Sequence, residues 1–166
     1  KYLDDLAAPG EVIPTDPNST EFNLAAVNLE ENSGKVPVGY ILPPGIQREQ
    51  DNGSINLRQL NEQSLSLELC NLADGDARAA YKNVQFDVRS YKKLKMFIHA
   101  EARGDSSLLK DDQLTTFIRL GTDFDENYYE YEIPMKLTPW GTEANSSTAN
   151  IIWPAANDME IIFVIS

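Results

Sequence analysis

Three oxygen-bearing side chains at alternate positions are the first candidates for chemistry in this sequence. Asp123, Asp125 and Asn127 stand in GTDFDENYY, with the one-three-five spacing of the oxygen ligands in a calcium loop. An EF-hand also needs glycine at its sixth position and glutamate at its twelfth, which here are Tyr128 and Pro134. The sequence therefore excludes an EF-hand. A looser metal site and a plain acidic hairpin turn remain, and the turn is favoured, so we expect no cofactor and a fold independent of calcium.

Titratable side chains offer two further arrangements to consider. Glu130 and Glu132 would share one face of a strand about 7 Å apart, and paired carboxylates at such a separation can cleave glycosidic bonds. His99, the single histidine, stands two residues from Glu101. A nucleophilic site would need a thiol or hydroxyl touching the imidazole, and nothing places Cys70, the single thiol, near it. Solvated glutamates and an exposed histidine are the simpler interpretations, so we expect no enzyme.

Aromatic side chains near the end of the sequence could bind a ligand or a partner. The set comprises Tyr128, Tyr129, Tyr131, Trp140 and Trp153. Such rings can stack on sugars or anchor a partner protein, although core filling explains two or three of the five. Parity along a strand puts Tyr128 on the side of Glu130, so we expect Tyr128 to be the exposed one.

The element that must position His99 and Glu101 is the stretch 91–103, YKKLKMFIHAEAR. Its apolar residues alternate with mostly charged ones, which is typical of a β-strand with one face in a core and one in water. The apolar side carries Leu94, Met96, Ile98, Ala100 and Ala102, and the other side carries Lys93, Lys95, Phe97, His99, Glu101 and Arg103.

Similar alternation elsewhere predicts seven strands, at 64–70, 83–89, 94–103, 114–120, 127–137, 149–153 and 160–165. Short one-faced strands separated by turn residues indicate an all-β fold, and we predict an antiparallel β-sandwich of the jelly-roll, galactose-binding-like type. The side chains expected to be buried are Leu67, Phe86, Val88, Leu94, Met96, Ile98 and Ile133. Those expected to be exposed are Lys93, Lys95 and Glu101.

The first third of the chain is less regular. Prolines interrupt residues 1–56, which we predict to be an irregular arm wrapping a sandwich domain at 57–166. Within this arm, 22–29 and 36–42 could form edge strands. Residues 105–112 could form either one helical turn or a polar loop.

Length and charge limit the possible functions. The chain has 166 residues and a formal net charge of −12, which suits one domain and argues against nucleic acid or an anionic membrane surface as a partner. A single cysteine excludes an internal disulfide, and no apolar run approaches the ~20 residues of a membrane helix. The sequence starts without methionine and stops on EIIFVIS, so we expect it to be a segment of a longer protein.

Five long stretches have sequences characteristic of one family: YILPPGIQRE (40–49), LNEQSLSL (60–67), DGDARAAYKN (74–83), RSYKKLKMFIHAEA (89–102) and FIRLGTDFDENYYEYEIPMKLTPWG (117–141). Through them the sequence resembles the SprA/Sov family, the outer-membrane translocon of the type IX secretion system of Bacteroidetes, which is also tied to gliding motility. The resemblance implies a soluble segment of a very large protein that passes folded cargo across the outer membrane. It carries over no catalytic residue and no cofactor site.

The resemblance implies a non-catalytic structural and protein-interaction module in the cell envelope, associated with the outer membrane. Its partners would be other parts of the same protein and other secretion-system or cargo proteins, without direct membrane insertion by this segment. The alternative is a carbohydrate-binding jelly-roll module at the cell surface. The candidate partner surface comprises Lys93, Lys95, Phe97, His99, Glu101 and Tyr128. Phe97 either anchors a partner or is covered by the proline-rich arm.

Overall fold

A computed structural model describes residues 20–51, 58–84, 87, 90–104 and 109–163. These include eight strands, two single-turn helices and a 3₁₀ turn. The strands are β1 Glu21–Asn28, β2 Gln50–Asp51, β3 Arg58–Gln59, β4 Gln63–Cys70, β5 Lys93–Met96, β6 Thr115–Gly121, β7 Tyr128–Pro134 and β8 Met159–Ile162. The helices are α1 Leu29–Asn32 and α2 Ala149–Ile152, and the 3₁₀ turn is Ala155–Asn157. Within the described ranges, no helix has the length and apolar character needed to cross a membrane.

The strands pair two by two. β1 pairs with β4, β2 with β3, β5 with β8 and β6 with β7, and every pair is antiparallel. The described chain is thus mostly strand with few helices, in small antiparallel sheets. The jelly roll is not confirmed, because that fold packs two larger sheets face to face and the described strands form four separate two-stranded sheets.

Most of the predicted strands correspond to observed ones. The predictions at 64–70, 114–120, 127–137 and 160–165 match β4, β6, β7 and β8, and 22–29 matches β1. The predicted strand 94–103 becomes β5 followed by an extended segment, which forms one parallel bridge between Glu101 and Thr138. Residues 36–42 form no strand. Most of 83–89, including Phe86 and Val88, and the first half of 105–112 lie outside the described residues.

The prediction of a strand at 149–153 is wrong, because a polar turn just before it starts a helix. The Asn145 side-chain oxygen accepts the backbone N–H of Thr148 at 3.2 Å. The Thr148 carbonyl then accepts the N–H groups of Ile151 and Ile152 at 2.8 and 3.0 Å. Side chains of this kind compete for backbone groups near helix starts, and a four-residue apolar run does not by itself distinguish strand from helix.

The core is divided into two clusters. The tryptophan cluster consists of Val38, Tyr40, Ile152 and Trp153, with Val27, Leu29, Ile41, Phe97 and Ala144 packed around it. The methionine cluster consists of Ala100, Ile133, Met135 and Met159, with Met96, Ile98, Leu114, Ile118 and Leu137 packed around it. Residues 38–41, predicted to lie in an irregular arm, therefore supply part of the core.

The segment 96–100 lies between the two clusters. Phe97 packs against the tryptophan cluster, whereas Met96 and Ile98 pack against the methionine cluster, to which Ala100 belongs. The alternation predicted from the sequence is present, but both faces have protein against them. The expectation that one face would lie in water is wrong for this part of the strand.

Two of the burial predictions are wrong, for opposite reasons. Leu67 was expected in the core but is 45% exposed, since its face of the β1–β4 sheet is not covered by the described residues. Glu101 was expected in water but its side chain is only 15% exposed, because Lys35 and His99 cover it. Burial of Ile133 is confirmed. Leu94, Met96 and Ile98 are half-buried, and Lys93 and Lys95 are exposed as predicted.

Candidate functional site

The lysines of the predicted partner surface are positioned by the pairing of β5 with β8. This pairing places Lys93 opposite Ile162 and Lys95 opposite Glu160. The Lys93 Nζ lies 3.2 Å from a Glu160 carboxylate oxygen. The Lys95 Nζ lies 3.6 Å from an Asp158 carboxylate oxygen and 4.6 Å from the centroid of the Phe97 ring. Acidic groups of the same chain thus neutralise both cations.

His99 is held by contacts on both ring nitrogens. Nδ1 lies 2.9 Å from the Ile152 carbonyl and 3.1 Å from Thr138 Oγ1, and the ring meets Trp153 edge-on at 5.8 Å. A carbonyl can only accept, so Nδ1 carries a hydrogen and donates it to this carbonyl. A protonated Nδ1 cannot remove a proton from Thr138, whose hydroxyl is itself within 3.4 Å of the Ile151 and Ile152 carbonyls. The imidazole therefore fastens the segment 96–100 to the end of α2 and activates no nucleophile at this hydroxyl.

Glu101 links this histidine to the first part of the chain. Its Oε1 accepts a hydrogen bond from Lys35 Nζ at 2.7 Å, and its Oε2 lies 3.3 Å from His99 Nε2. Burial raises the pKa of the Glu101 carboxyl, but the hydrogen bonds and charges of His99 and Lys35 outweigh it and leave this pKa below its ordinary value. The carboxylate is therefore ionised and serves as a bridge between Lys35 and His99.

Phe97 and Tyr128 are both engaged within the chain. Phe97 packs against a cluster that includes Val38 and Tyr40 from the predicted arm, which is the internal one of its two predicted roles. The Arg119 guanidinium lies 4.3 Å from the centroid of the Tyr128 ring, which leaves this ring half-buried. Binding of a partner by these side chains stays a prediction.

On β7 the exposed tyrosine is not the one expected. Tyr128 shares a face with Glu130, as parity predicted. Glu130 lies opposite Arg119 of β6, so the Arg119 side chain is on the same face as Tyr128. Arg119 pairs with Glu130 and covers the Tyr128 ring. Tyr129, on the opposite face, is 87% exposed. Sequence alone could not have shown this, because the face of Arg119 relative to Tyr128 depends on the register of the β6–β7 hairpin.

The three candidate calcium ligands lie together in the turn between β6 and β7. Asp123 Oδ1 accepts the backbone N–H groups of Asp125, Glu126 and Asn127 at 2.8–3.0 Å, and Oδ2 accepts Asn127 Nδ2 at 2.6 Å. These bonds, led by the Glu126 N–H, hold the pKa of the Asp123 carboxyl far below its ordinary value. The turn thus uses both Asp123 oxygens for its own structure. Across the described ranges, no group of three or more histidine, cysteine or acidic side chains is placed to hold a metal ion.

The two glutamates considered for glycosidic cleavage lie in the open. Glu130 and Glu132 are exposed on the β6–β7 hairpin, and Glu130 is paired with Arg119. A cleft of about 350 Å³ lies beside Trp140 and includes neither of them among its lining residues. Tyr129 and Tyr131 do not line it either, so the exposed aromatic rings do not converge there as a sugar site would require. Carbohydrate binding stays a prediction.

Asn157 is a structural residue that sequence reasoning missed. Its side chain is completely buried, its Oδ1 accepts the Lys136 backbone N–H at 2.7 Å, and its Nδ2 donates to the Lys136 carbonyl at 2.8 Å. It thereby ties the end of β7 to the start of β8. No sequence signal marks it, because an asparagine between a proline-containing turn and a strand is usually a loop residue.

One exposed apolar area lies on the β1–β4 sheet, on a face that the sequence analysis placed in the core. We call it the ribbon face, and its six residues form cross-strand pairs. The pairs are Phe22 with Leu69, Leu24 with Leu67 and Ala26 with Leu65. Leu24, Leu65 and Leu67 are 54%, 65% and 45% exposed. The signal was present as alternating leucines in SLSLEL, which was interpreted as a core-facing pattern.

Comparison with known proteins gives one family. The sequence model of the SprA_N family, described as "Motility related/secretion protein", matches residues 1–164. No curated protein was found to match the chain.

Proposed function

The chain belongs to the SprA_N family of motility related/secretion proteins, and on this premise we propose that it is a non-catalytic structural and protein-interaction module of a secretion translocon. The resemblance of its sequence to SprA/Sov supports placing that translocon in the type IX secretion system at the outer membrane of Bacteroidetes. In this proposal the module contributes to protein export by making contacts. Its partners are other parts of the same protein and other secretion-system or cargo proteins.

The distribution of apolar side chains is the observation that carries the proposal. Of the residues that the structure describes, eight hydrophobic side chains are buried and fifteen large ones are exposed. A domain that works without partners exposes no large contiguous apolar patch. A module with more large apolar side chains outside than inside is suited to being covered by neighbouring protein.

The polar groups support a role without catalysis. His99 donates from Nδ1 to a carbonyl, Glu101 is paired with Lys35, and the Asp123 oxygens hold their own turn. Catalytic groups need donor or acceptor positions that are free to contact a substrate. The side chains of His99, Glu101 and Asp123 are instead satisfied inside the chain, where they serve its structure.

The test is performed in cells that carry the full-length protein. Tyr129→Glu and Leu24→Glu each place a charge on an exposed apolar position, and Asn61→Glu is the matched control at an exposed polar position. Because a buried, unpaired carboxylate strongly disfavours an interface, we expect Tyr129→Glu or Leu24→Glu to lower the amount of secreted cargo while Asn61→Glu does not. The melting temperature of the isolated chain should be unchanged in all three.

Two results would overturn the proposal. One is full secretion by both Tyr129→Glu and Leu24→Glu. The other is an equal loss of secretion in the Asn61→Glu control, because the effect would then not depend on the apolar character of the substituted position.

A further inference from the structure

The imidazole of His99 has a hydrogen-bond acceptor at each of its two nitrogens. Nδ1 lies 2.9 Å from the Ile152 carbonyl oxygen, and Nε2 lies 3.3 Å from Oε2 of Glu101. A carbonyl oxygen and an ionised carboxylate can only accept hydrogen bonds. A neutral imidazole carries one hydrogen and donates at one nitrogen, whereas a protonated imidazole donates at both. The two fixed acceptors therefore match the protonated form of the ring.

The charged groups near this ring favour the same form. Glu101 contacts the ring, and Lys35 lies on the far side of that carboxylate, with its Nζ 2.7 Å from Oε1. The groups that the end of α2 and the segment after β7 direct at the ring are uncharged. They are the Ile152 carbonyl, the edge of the Trp153 ring and the Thr138 hydroxyl. The carboxylate thus lies between two cations when the imidazole is protonated and beside one cation when it is neutral.

These contacts connect three separate parts of the chain. Lys35 precedes residues 38–41, which supply part of the tryptophan cluster, whereas Glu101 follows the segment 96–100. The third part is the end of α2, where the Trp153 indole N–H also donates to the Ile41 carbonyl at 3.0 Å. The charge of the imidazole therefore acts on the contacts that hold residues 35–41 against the rest of the described chain.

We propose that Lys35, Glu101 and His99 form a pH-sensitive clasp, which is tight when the imidazole is protonated and weaker when it is neutral. In the tight form, Nε2 donates to the carboxylate, which then binds two cations. After the proton leaves, the Nε2 lone pair faces the carboxylate, and Lys35 remains as its cationic partner. A proton that favours the folded clasp is bound on folding, so the clasp loses stability as pH rises through the range in which an imidazole titrates, about pH 6.5.

The test uses the 166-residue chain, in which His99 is the single histidine. Urea unfolding of the wild type and of His99→Gln is measured at about pH 5.5 and about pH 7.5, on either side of the titration of a free imidazole. Glutamine keeps a polar side chain that does not titrate. The same pair is compared in a Glu101→Gln background, which keeps the imidazole and removes the carboxylate. Circular dichroism verifies that each variant is folded.

We expect the unfolding equilibrium constant of the wild type, relative to that of His99→Gln, to rise at least about threefold from the lower to the higher pH. Partial burial of the ring opposes its charge, which keeps the change below the full strength of a charged hydrogen bond. In the Glu101→Gln background the ratio should stay nearly constant. Hydrogen-exchange protection of the Trp153 indole N–H should fall over the same range in the wild type and not in His99→Gln.

Nitrogen NMR of the wild type tests the same proposal without any variant, and it decides the question if His99→Gln does not fold. At about pH 6.5, where a free imidazole is half protonated, the fraction of rings with hydrogen on both nitrogens should be larger in the folded chain than in urea. An equal or smaller fraction would overturn the proposal.

Two results of the unfolding experiment would also overturn it. One is the same pH dependence in the wild type and in His99→Gln, because proton binding by the imidazole would then not be linked to folding. The other is a pH effect that persists in full in the Glu101→Gln background, because the carboxylate would then have no part in it. No partner enters these measurements, so the proposed function stands or falls independently of them.

Discussion

The most direct test of the fold is the buried side chain of Asn157. It accepts the N–H of Lys136 and donates to the carbonyl of the same residue, and its side chain has no solvent exposure. Replacing Asn157 with Leu keeps a side chain of similar size but removes both hydrogen bonds. The backbone of Lys136 then has a donor and an acceptor without partners at the boundary of the methionine cluster.

The expected loss follows from those two groups. A buried backbone group left without a hydrogen bond costs about 1–3 kcal/mol, so complete burial of both would cost about 2–6 kcal/mol. Lys136 is only half-buried, so water can partly replace the lost bonds, and the leucine side chain itself gains apolar burial. We therefore expect Asn157→Leu to lower the free energy of unfolding by about 2–3 kcal/mol.

The measurement is urea unfolding followed by tryptophan fluorescence, since Trp153 lies in the core. Asn150→Leu is the control at an exposed asparagine of α2 and should change stability by less than about 0.5 kcal/mol. Asn157→Asp keeps an acceptor but brings a carboxylate oxygen against the Lys136 carbonyl, so its loss should diminish when acid protonates the aspartate. A loss below about 0.5 kcal/mol for Asn157→Leu would refute the assigned role of this side chain.

Three further predictions address the polar segment and the acidic turn. Phe97→Ser should lower the unfolding free energy by about 1–3 kcal/mol, because the ring packs on the tryptophan cluster and lies under Lys95. Lost secretion with unchanged stability would instead identify a partner surface. The pKa of the Glu101 carboxyl is lower in the folded chain than its ordinary value of 4.5. The ionised carboxylate therefore stabilises the fold at pH values above 4.5, and this stabilisation is lost as the pH falls from that value through the folded-state pKa. The difference in unfolding free energy between wild type and Glu101→Gln should accordingly shrink on acidification, and a difference independent of pH would contradict the bridge. Melting temperatures with calcium and with a chelator should agree, because Asp123 uses both carboxylate oxygens inside its turn; a rise of several degrees with calcium would show binding to the native state.

Local alternation was sufficient to locate most strands of this chain. The patterns around Leu67, Ile98 and Ile133 each correspond to β-structure or extended backbone, because side-chain period is a property of the strand itself. Alternation also identified which residues share a face, as the packing of Met96 and Ile98 on one cluster shows.

What covers each face could not be predicted, because it depends on distant parts of the chain. Leu67 lies outside because the opposite face of its sheet packs on the tryptophan cluster, and Glu101 lies inside because Lys35, 66 residues away, reaches it. Helix α2 was not predicted, because its start depends on the polar side chain of Asn145. The pattern of apolar residues contains no information about that side chain. Alternation therefore grouped Lys95, Phe97 and His99 on one face, but it could not show what packs against that face, and whether these residues bind a partner stays a prediction.

The segment 96–100, which has a different core cluster on each side, also determines how the protein opens. Phe97 and Ile98 are neighbours in sequence but belong to different clusters, so separating either cluster displaces the backbone that carries the other. We therefore expect the two cores to unfold as one cooperative unit. Amide hydrogens in both should exchange with solvent at similar rates, and a substitution such as Met135→Ala should accelerate exchange around Tyr40 as well as around Met159.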